Sequence, residues 1–346
     1  MLMDSEKALK TLNVRSVWIP VIIGLGIVVA LAITDDRLNV ETLGLIKDIS
    51  PIALVVSVFV LLSKDLVNMA RLKFLSKKSV FWASAIRIIF LWEFAIAVTP
   101  PVLGATGVLV YIMFREKLSF GTALAYTLLL ATFDNLFFLT ASPLAILISN
   151  GAVLPDSTAA TNNLGQSIRS LFWLSYALIA VYTSFMLSAV LLFPKAIRRL
   201  TAWVMNLKWL KKWRLTVLKQ ADDLLLVSQI LKGKSVKFWL TILGITYLVW
   251  ILKYSVLNGL VSGFAEPTLM DQGILLGRHL IMWIVLLVSP APGNAGAAEL
   301  IFPLFFEDYL KDYTFICLLI WRLLSYYPYL LIGALILPKW IRGAKS

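Results

Sequence analysis

The chain has 346 residues, 60% of them hydrophobic and 15% charged, with a mean hydropathy of +0.86. A soluble domain of this length could not bury so much apolar surface, so the composition specifies a polytopic membrane protein and excludes an ordinary soluble enzyme. The net charge of +13 does not indicate nucleic acid, because the lysines and arginines fall in short blocks between apolar runs, as the positive-inside rule requires.

The N-terminus opens with a mixed-charge segment, Asp4 to Arg15, and an apolar run from about Val17 to Ile33 with no small-residue cleavage site after it. This reads as a retained first helix. The acid-rich stretch Asp35 to Asp48 is assigned outside. A second run, about Ile49 to Leu62, leads into Lys64, Arg71, Lys73, Lys77 and Lys78 against the single acid Asp65, a pattern that predicts a cytoplasmic loop. From Val80 the chain is apolar to Val98, breaks at Pro100-Pro101 and continues through Met113 to Arg115-Glu116-Lys117. The return limb is too short to span a bilayer at about 1.5 Å per residue. Residues 80–115 are therefore predicted to form a hairpin that turns inside the membrane. A longer helix, about Phe120 to Ser149, carries Asp134 and ends in the polar loop Gly151 to Asn163, assigned outside.

A helix from about Ile168 to Phe193 returns to the basic connector 194–237, in which eleven Lys/Arg face only Asp222 and Asp223, a strong cytoplasmic signal. Leu200, Trp203, Val204, Leu207 and Leu210 recur at helical spacing among these bases, which predicts an amphipathic helix on the inner leaflet. The second half has a span from about Phe238 to Leu257, an external loop with Glu266 and Asp271, a second hairpin over 274–306, another acid-rich loop, and a last span from about Phe315 to Leu337. Trp18, Trp82, Trp239 and Trp340 fall at predicted cytoplasmic helix ends, and both termini are expected inside.

Ser289-Pro-Ala-Pro-Gly-Asn-Ala-Gly-Ala-Ala-Glu299 organises this pattern, since two prolines and two glycines break the backbone where lipid could not satisfy the freed amides and carbonyls. Its Pro290-x-x-Gly293-x-x-Gly296 repeats Pro101-x-x-Gly104-x-x-Gly107 of the first half. The expected fold is an all-α polytopic membrane protein with an inverted-topology repeat: a first half over 1–193 (repeat about 49–149), the connector, and a second half over 238–346. Broken helices meeting near the midplane are a recurring construction of secondary transporters.

The ionisable residues left inside apolar runs are Arg87, Glu93, Asp134, Lys253, Arg278, Glu299 and Arg322, with His279 beside them. Each would cost about 3 kcal/mol at a helix centre unless paired or hydrated. An arginine grips phosphate bidentately, and Glu299 can balance one or take a cation. For Arg87 and Lys253, snorkelling to an interface is an equal alternative. For Asp134, Glu299 and Arg322, structural ion pairing and substrate contact are both open. The run Tyr326-Tyr327-Pro328-Tyr329 reads first as a packing kink and second as cavity lining. Cys317 and His279 stand alone, which argues against a disulfide framework or a zinc site, and no cofactor or metal is expected.

Ser289-Pro-x-Pro-Gly-x-x-Gly-x-x-Glu299 followed by Arg322-Leu-Leu-Ser-Tyr-Tyr-Pro resembles the closing signature of the lysylphosphatidylglycerol synthase transmembrane region, the flippase-like family that includes the membrane half of the multiple peptide resistance factor; Arg87 to Gly107 is similar to its first signature. The resemblance implies a lipid translocase of a bacterial or archaeal cytoplasmic (inner) membrane. It carries Pro101, Gly104, Gly107, Pro292, Gly293, Gly296, Glu299, Arg322 and Tyr326 into the expected site. The family's usual Pro-Gly-Gly reads Pro292-Gly293-Asn294 here, and the aminoacyl transferase domain of two-domain members does not follow in this chain, so the charging of a headgroup is not expected of it. Partners expected on this reading are membrane lipids with anionic or zwitterionic headgroups, with room for a homo-oligomer and for a separate headgroup-synthesising enzyme. The alternatives are a membrane-embedded enzyme that modifies lipid headgroups, with Glu299 and Asp134 as acid and base, and a non-catalytic membrane assembly partner.

Overall fold

The structure is a computed structural model that describes residues 44–76, 79–99, 106–155, 162–207, 211 and 214–342. The predicted first helix, its following loop, Trp18, the first Pro/Gly knot with Pro101 and Gly104, Trp209, Leu210 and Trp213 lie outside the described residues. Those described are helical or in short connections, with no strand among them.

In chain order the helices are α1 (Pro51–Leu75), α2 (Trp82–Val98), α3 (Thr106–Arg115), α4 (Phe120–Ile148), α5 (Asn162–Leu187), α6 (Pro194–Val204), α7 (Arg214–Leu231), α8 (Val236–Val261), α9 (Leu269–Leu286), α10 (Ala297–Leu310), α11 (Thr314–Ser325) and α12 (Tyr327–Arg342). Six segments among the described residues are long and apolar enough to cross a membrane: Pro51–Leu75, Phe120–Ile148, Gly165–Val190, Val236–Val261, Leu269–Leu286 and Ala297–Ile341. With that hydropathy, the protein is an all-α polytopic membrane protein.

α1 shows what the bilayer does to a helix. Its apolar residues Ile52, Val55, Phe59, Leu62 and Leu66 are exposed, while Ser57, Lys64, Asn68 and Arg71 are buried on the opposite face. Lipid solvates the apolar side, and the polar side must find partners inside the protein. The predicted end of this span at Leu62 and the cytoplasmic loop carrying Lys64 and Arg71 are therefore corrected: the helix continues to Leu75, and both bases belong to the interior. α1 packs along α8, where Ser57 lies against Gly259 and Ala53 and Ile49 against Gly263, so that small residues allow close backbone approach.

Two helix–break–helix units stand on this pair. In the first, α2 and α3 pack together across the segment 99–105; in the second, α9 and α10 pack across 287–296. The second unit starts earlier than predicted because Thr268 caps α9 in a capping box, its hydroxyl accepting from the Asp271 amide (3.2 Å) while Asp271 Oδ2 accepts from the Thr268 amide (2.9 Å). Asp271 is thus a first-turn helical residue, not part of a loop. The last span is not continuous either. It breaks at Tyr326 (φ −127°, ψ −61°) into α11 and α12, and α12 packs on α2. The connector forms α6 and α7, which pack on each other, and α7 leans on α4; Leu200 and Trp203 are exposed on α6, which ends at Val204, so Leu207 of the predicted helical stripe lies in the turn beyond it.

Candidate functional site

Gly293 is the hinge of the site. Its φ of +59° belongs to the left-handed region open to glycine, and a Cβ there would lie 2.5 Å from the Ala97 carbonyl oxygen and 2.5 Å from the Tyr326 ring. Only a residue without a side chain lets the second break touch the end of α2, where the Gly293 amide donates to the Thr99 carbonyl (3.3 Å) and Tyr326 donates to the Ala97 carbonyl (3.2 Å). Asn294, where the resembling family has a second glycine, also has positive φ (+57°), and asparagine tolerates that region better than most side chains do. Gly296 (φ +86°) ends the break. Its counterpart by spacing, Gly107, instead sits inside the first turn of α3 with open space around it.

Glu299 is the third residue of α10 and reaches back, its Oε2 accepting from the Gly296 amide (2.7 Å). The same carboxylate holds Arg322 from α11, with Nε 2.8 Å from Oε1 and Nη2 3.0 Å from Oε2, and Nη2 also donates to the Asn294 carbonyl (3.1 Å). The guanidinium lies over the Tyr326 ring, 4.9 Å from its centroid. Both charged groups are buried. The pair expected from the sequence therefore exists, and it ties three pieces of chain together at the second break.

These groups border a cavity of about 600 Å³. Arg322, Tyr326, Gly293, Asn294, Glu93, Asp134 and His279 line it, and Glu299 stands behind Arg322 rather than on the wall. Tyr326 and Tyr329 line it too, so the tyrosine run serves both as a kink and as cavity wall.

Three further charges reach the cavity or support it. Lys64 of α1 binds Glu93 Oε1 (2.9 Å), Asp65 Oδ1 (2.6 Å) and the Tyr329 hydroxyl (2.9 Å), and that hydroxyl donates to Asp65 Oδ2 (2.8 Å). Arg71 holds Asp134 (2.6 Å), which also accepts from the Trp250 indole (2.9 Å). Lys253 of α8 lies over two indole rings, 4.6 Å from the centroid of Trp250 and 4.2 Å from that of Trp283. Lys253 does not snorkel to an interface; it lines the cavity. Lys64, Asp65 and Arg71 were hidden in the sequence by the apparent loop. Lys64, Asn68 and Arg71 are spaced at one helical face, and that was the available signal.

Arg87 and Arg278 do not join this group. Arg87 binds Glu116 through two bonds (2.8 and 2.7 Å) and is 41% exposed, closing the end of the first unit remote from its break. Arg278 donates to Asp308 (2.6 Å), to the Phe305 carbonyl (2.7 Å) and to the Ala152 carbonyl (3.0 Å), closing the same end of the second unit. Of the ionisable residues found inside apolar runs, these two are not on the cavity wall. Each sits two or more helical turns before its break, and its guanidinium turns back to the carboxylate at the open end.

Among the described residues no group of three or more His, Cys, Asp or Glu is placed to hold a metal ion. His279 is buried among the rings of Tyr254, Phe306 and Trp321, with Nδ1 3.3 Å from the Tyr254 carbonyl. Cys317 is buried and free.

No curated protein and no solved structure matched the chain significantly. The sequence model described as lysylphosphatidylglycerol synthase TM region matches residues 17–333, nearly the whole length and all of the cavity. The chain belongs to the lysylphosphatidylglycerol synthase transmembrane region family.

Proposed function

We propose that the protein is a flippase that moves a polar-headed, phosphate-bearing lipid between leaflets, the headgroup passing through the charged cavity while the acyl tails stay in the bilayer. The observation that carries this reading is the cavity itself: about 600 Å³ walled by Lys64, Glu93, Asp134, Lys253 and Arg322 inside a bundle whose outer faces are apolar. Such a concentration of charge is costly in a membrane interior and has a use where polar cargo must cross. Family membership supports a lipid as that cargo.

On this reading the two broken units are re-entrant hairpins of an inverted repeat that approach the midplane from opposite faces. The contact of Gly293 with Thr99 supports a meeting of their tips, and the matching Arg87–Glu116 and Arg278–Asp308 clamps support the repeat. Both termini and the α6–α7 connector are cytoplasmic in an inner membrane. The engagement of Glu299 and Asp134 by arginines favours transport over headgroup chemistry, because neither carboxylate is free to act as a base.

Reconstitution into vesicles with headgroup-labelled lipid in both leaflets tests the function. Loss of the inner-leaflet protection against a membrane-impermeant quencher is expected, with the lipid recovered chemically unchanged. Protection equal to that of empty vesicles, or a modified lipid, refutes it. The orientation is tested with Cys317 replaced: Asp312→Cys should react with an impermeant reagent in intact cells, and Lys232→Cys only after permeabilisation.

A further inference from the structure

The cavity's charges balance in number but not in pairing. Among the described residues, Lys64, Arg71, Lys253 and Arg322 face Asp65, Glu93, Asp134 and Glu299. Arg322 takes Glu299 and Arg71 takes Asp134, whereas Lys64 takes both Asp65 and Glu93. Lys253 is left without a carboxylate at ion-pair distance. Glu93 and Asp134 act on it only from farther off, and its immediate neighbours are the faces of Trp250 and Trp283. Two indoles hold an ammonium in place through their ring quadrupoles without neutralising it. The two carboxylates on the cavity wall, Glu93 and Asp134, are already bonded to Lys64 and Arg71, so satisfying Lys253 from within would require breaking one of those pairs.

We propose that Lys253 is the anion-binding residue of the cavity, and that it selects cargo carrying a phosphate mono- or diester. This rests on the translocation reading for its setting but concerns a different step, the recognition of charge. A lysine ammonium is a compact point charge that binds phosphate oxygens from several directions, which suits a headgroup that must arrive and leave. The Trp250–Trp283 pair keeps the ammonium extended into the cavity between turnovers, and a phosphate displaces nothing when it binds. Arg322, by contrast, holds Glu299 and the Asn294 carbonyl, and releasing it would undo the second break. Lys64 is equally committed. A neutral headgroup would leave Lys253 unmatched, so the cavity discriminates by charge.

Calorimetric titration of the purified full chain in neutral detergent tests this, with three probes: dihexanoylphosphatidylglycerol, glycerol 3-phosphate, and phosphate-free dihexanoylglycerol. The parent should bind phosphate-bearing probes in preference to dihexanoylglycerol. Lys253→Met should weaken phosphate binding by roughly tenfold or more, as for loss of a bond to a charged group, and leave dihexanoylglycerol unchanged. Lys253→Arg should retain most of the affinity. If the loss appears with the lipid alone, a lipid headgroup is the source of the phosphate; if it appears equally with glycerol 3-phosphate, a soluble phosphate is. Thermal unfolding of Lys253→Met should match the parent, since no ion pair is broken; if that variant does not fold, Lys253→Gln replaces it in the same titration. Equal phosphate affinity in parent and folded variant overturns the inference and leaves Lys253 as a counter-charge to the Lys64–Asp65–Glu93 cluster, as does a parent that binds no phosphate. The two readings fail separately: leaflet exchange with headgroup preference unchanged in Lys253→Met removes only this one, and Lys253-dependent binding without leaflet exchange removes only translocation.

Discussion

The two helix–break–helix units share a plan at their open ends, and the second holds a further ion pair at its break. Each is clamped at its open end by an arginine from the first limb and a carboxylate at or just beyond the end of the second, Arg87–Glu116 in one and Arg278–Asp308 in the other. The second unit adds Glu299–Arg322 at its break, buried and tied to the loop backbone. Chemically these are the same interaction. Burial separates them: in each clamp one ion is open to water, Arg87 (41% exposed) in the first and Asp308 (56%) in the second, so water competes for the pair, whereas with both ions buried the loss of one partner leaves an uncompensated charge.

The largest effect should therefore come from Glu299→Gln, which strands the Arg322 guanidinium; a loss of about 3–5 kcal/mol is expected in denaturant unfolding in detergent. The double variant Glu299→Met/Arg322→Met should recover much of it, and a single variant as stable as the parent would mean that the pair is hydrated. Of the two readings the sequence left open for this pair, structural ion pairing and substrate contact, a loss of that size favours the first.

Gly293→Ala comes next, at about 2–3 kcal/mol, from a left-handed backbone and a methyl pressed against Ala97 and Tyr326. Gly107→Ala in the first unit sharpens the contrast. It sits in a helix with nothing within 4 Å of the added methyl, so it should be neutral or stabilise by up to about 1 kcal/mol in the same assay. If both substitutions cost the same, the left-handed backbone and close contacts of Gly293 are not the source of its sensitivity. Arg278→Ala should cost about 1–2 kcal/mol, because it removes two carbonyl contacts along with Asp308. Arg87→Ala should cost about 0.5–1 kcal/mol, because the guanidinium is 41% exposed and its buried partner Glu116 keeps the Trp340 indole (2.8 Å) as a donor; the loss should shrink in high salt.

What could be read from the sequence follows the same division. The second break and the Glu299–Arg322 pair were legible because proline, glycine and isolated charge stand out against an apolar background. Lys64, Asp65 and Arg71 were not, because α1 carries them toward its C-terminal end, close in sequence to Lys73, Lys77 and Lys78, and a count of positive charge cannot separate a loop from the last turns of a polar-faced helix. Lys253 was seen, but not where its side chain would go: snorkelling and cavity lining place the same residue on the same helix, and only the indoles of Trp250 and Trp283 decide between them. For Arg87 the sequence left a reach away from the break as one of two equal alternatives, and for Arg278 it gave no sign of one, since a long side chain covers more than a turn of helix in either direction.

The close packing of α1 on α8 has a mechanical consequence. Where Ser57 meets Gly259 and Ala53 meets Gly263, backbones touch with almost no side chain between them, so nothing there can re-pack to let the helices slide. Lys64 and Lys253 stand on this pair, one on each helix, so the frame sets the spacing of the two ammonium-bearing walls. On the translocation reading proposed above, any rocking of the remaining parts would then fall to the irregular backbone at Gly293, Gly296 and Tyr326.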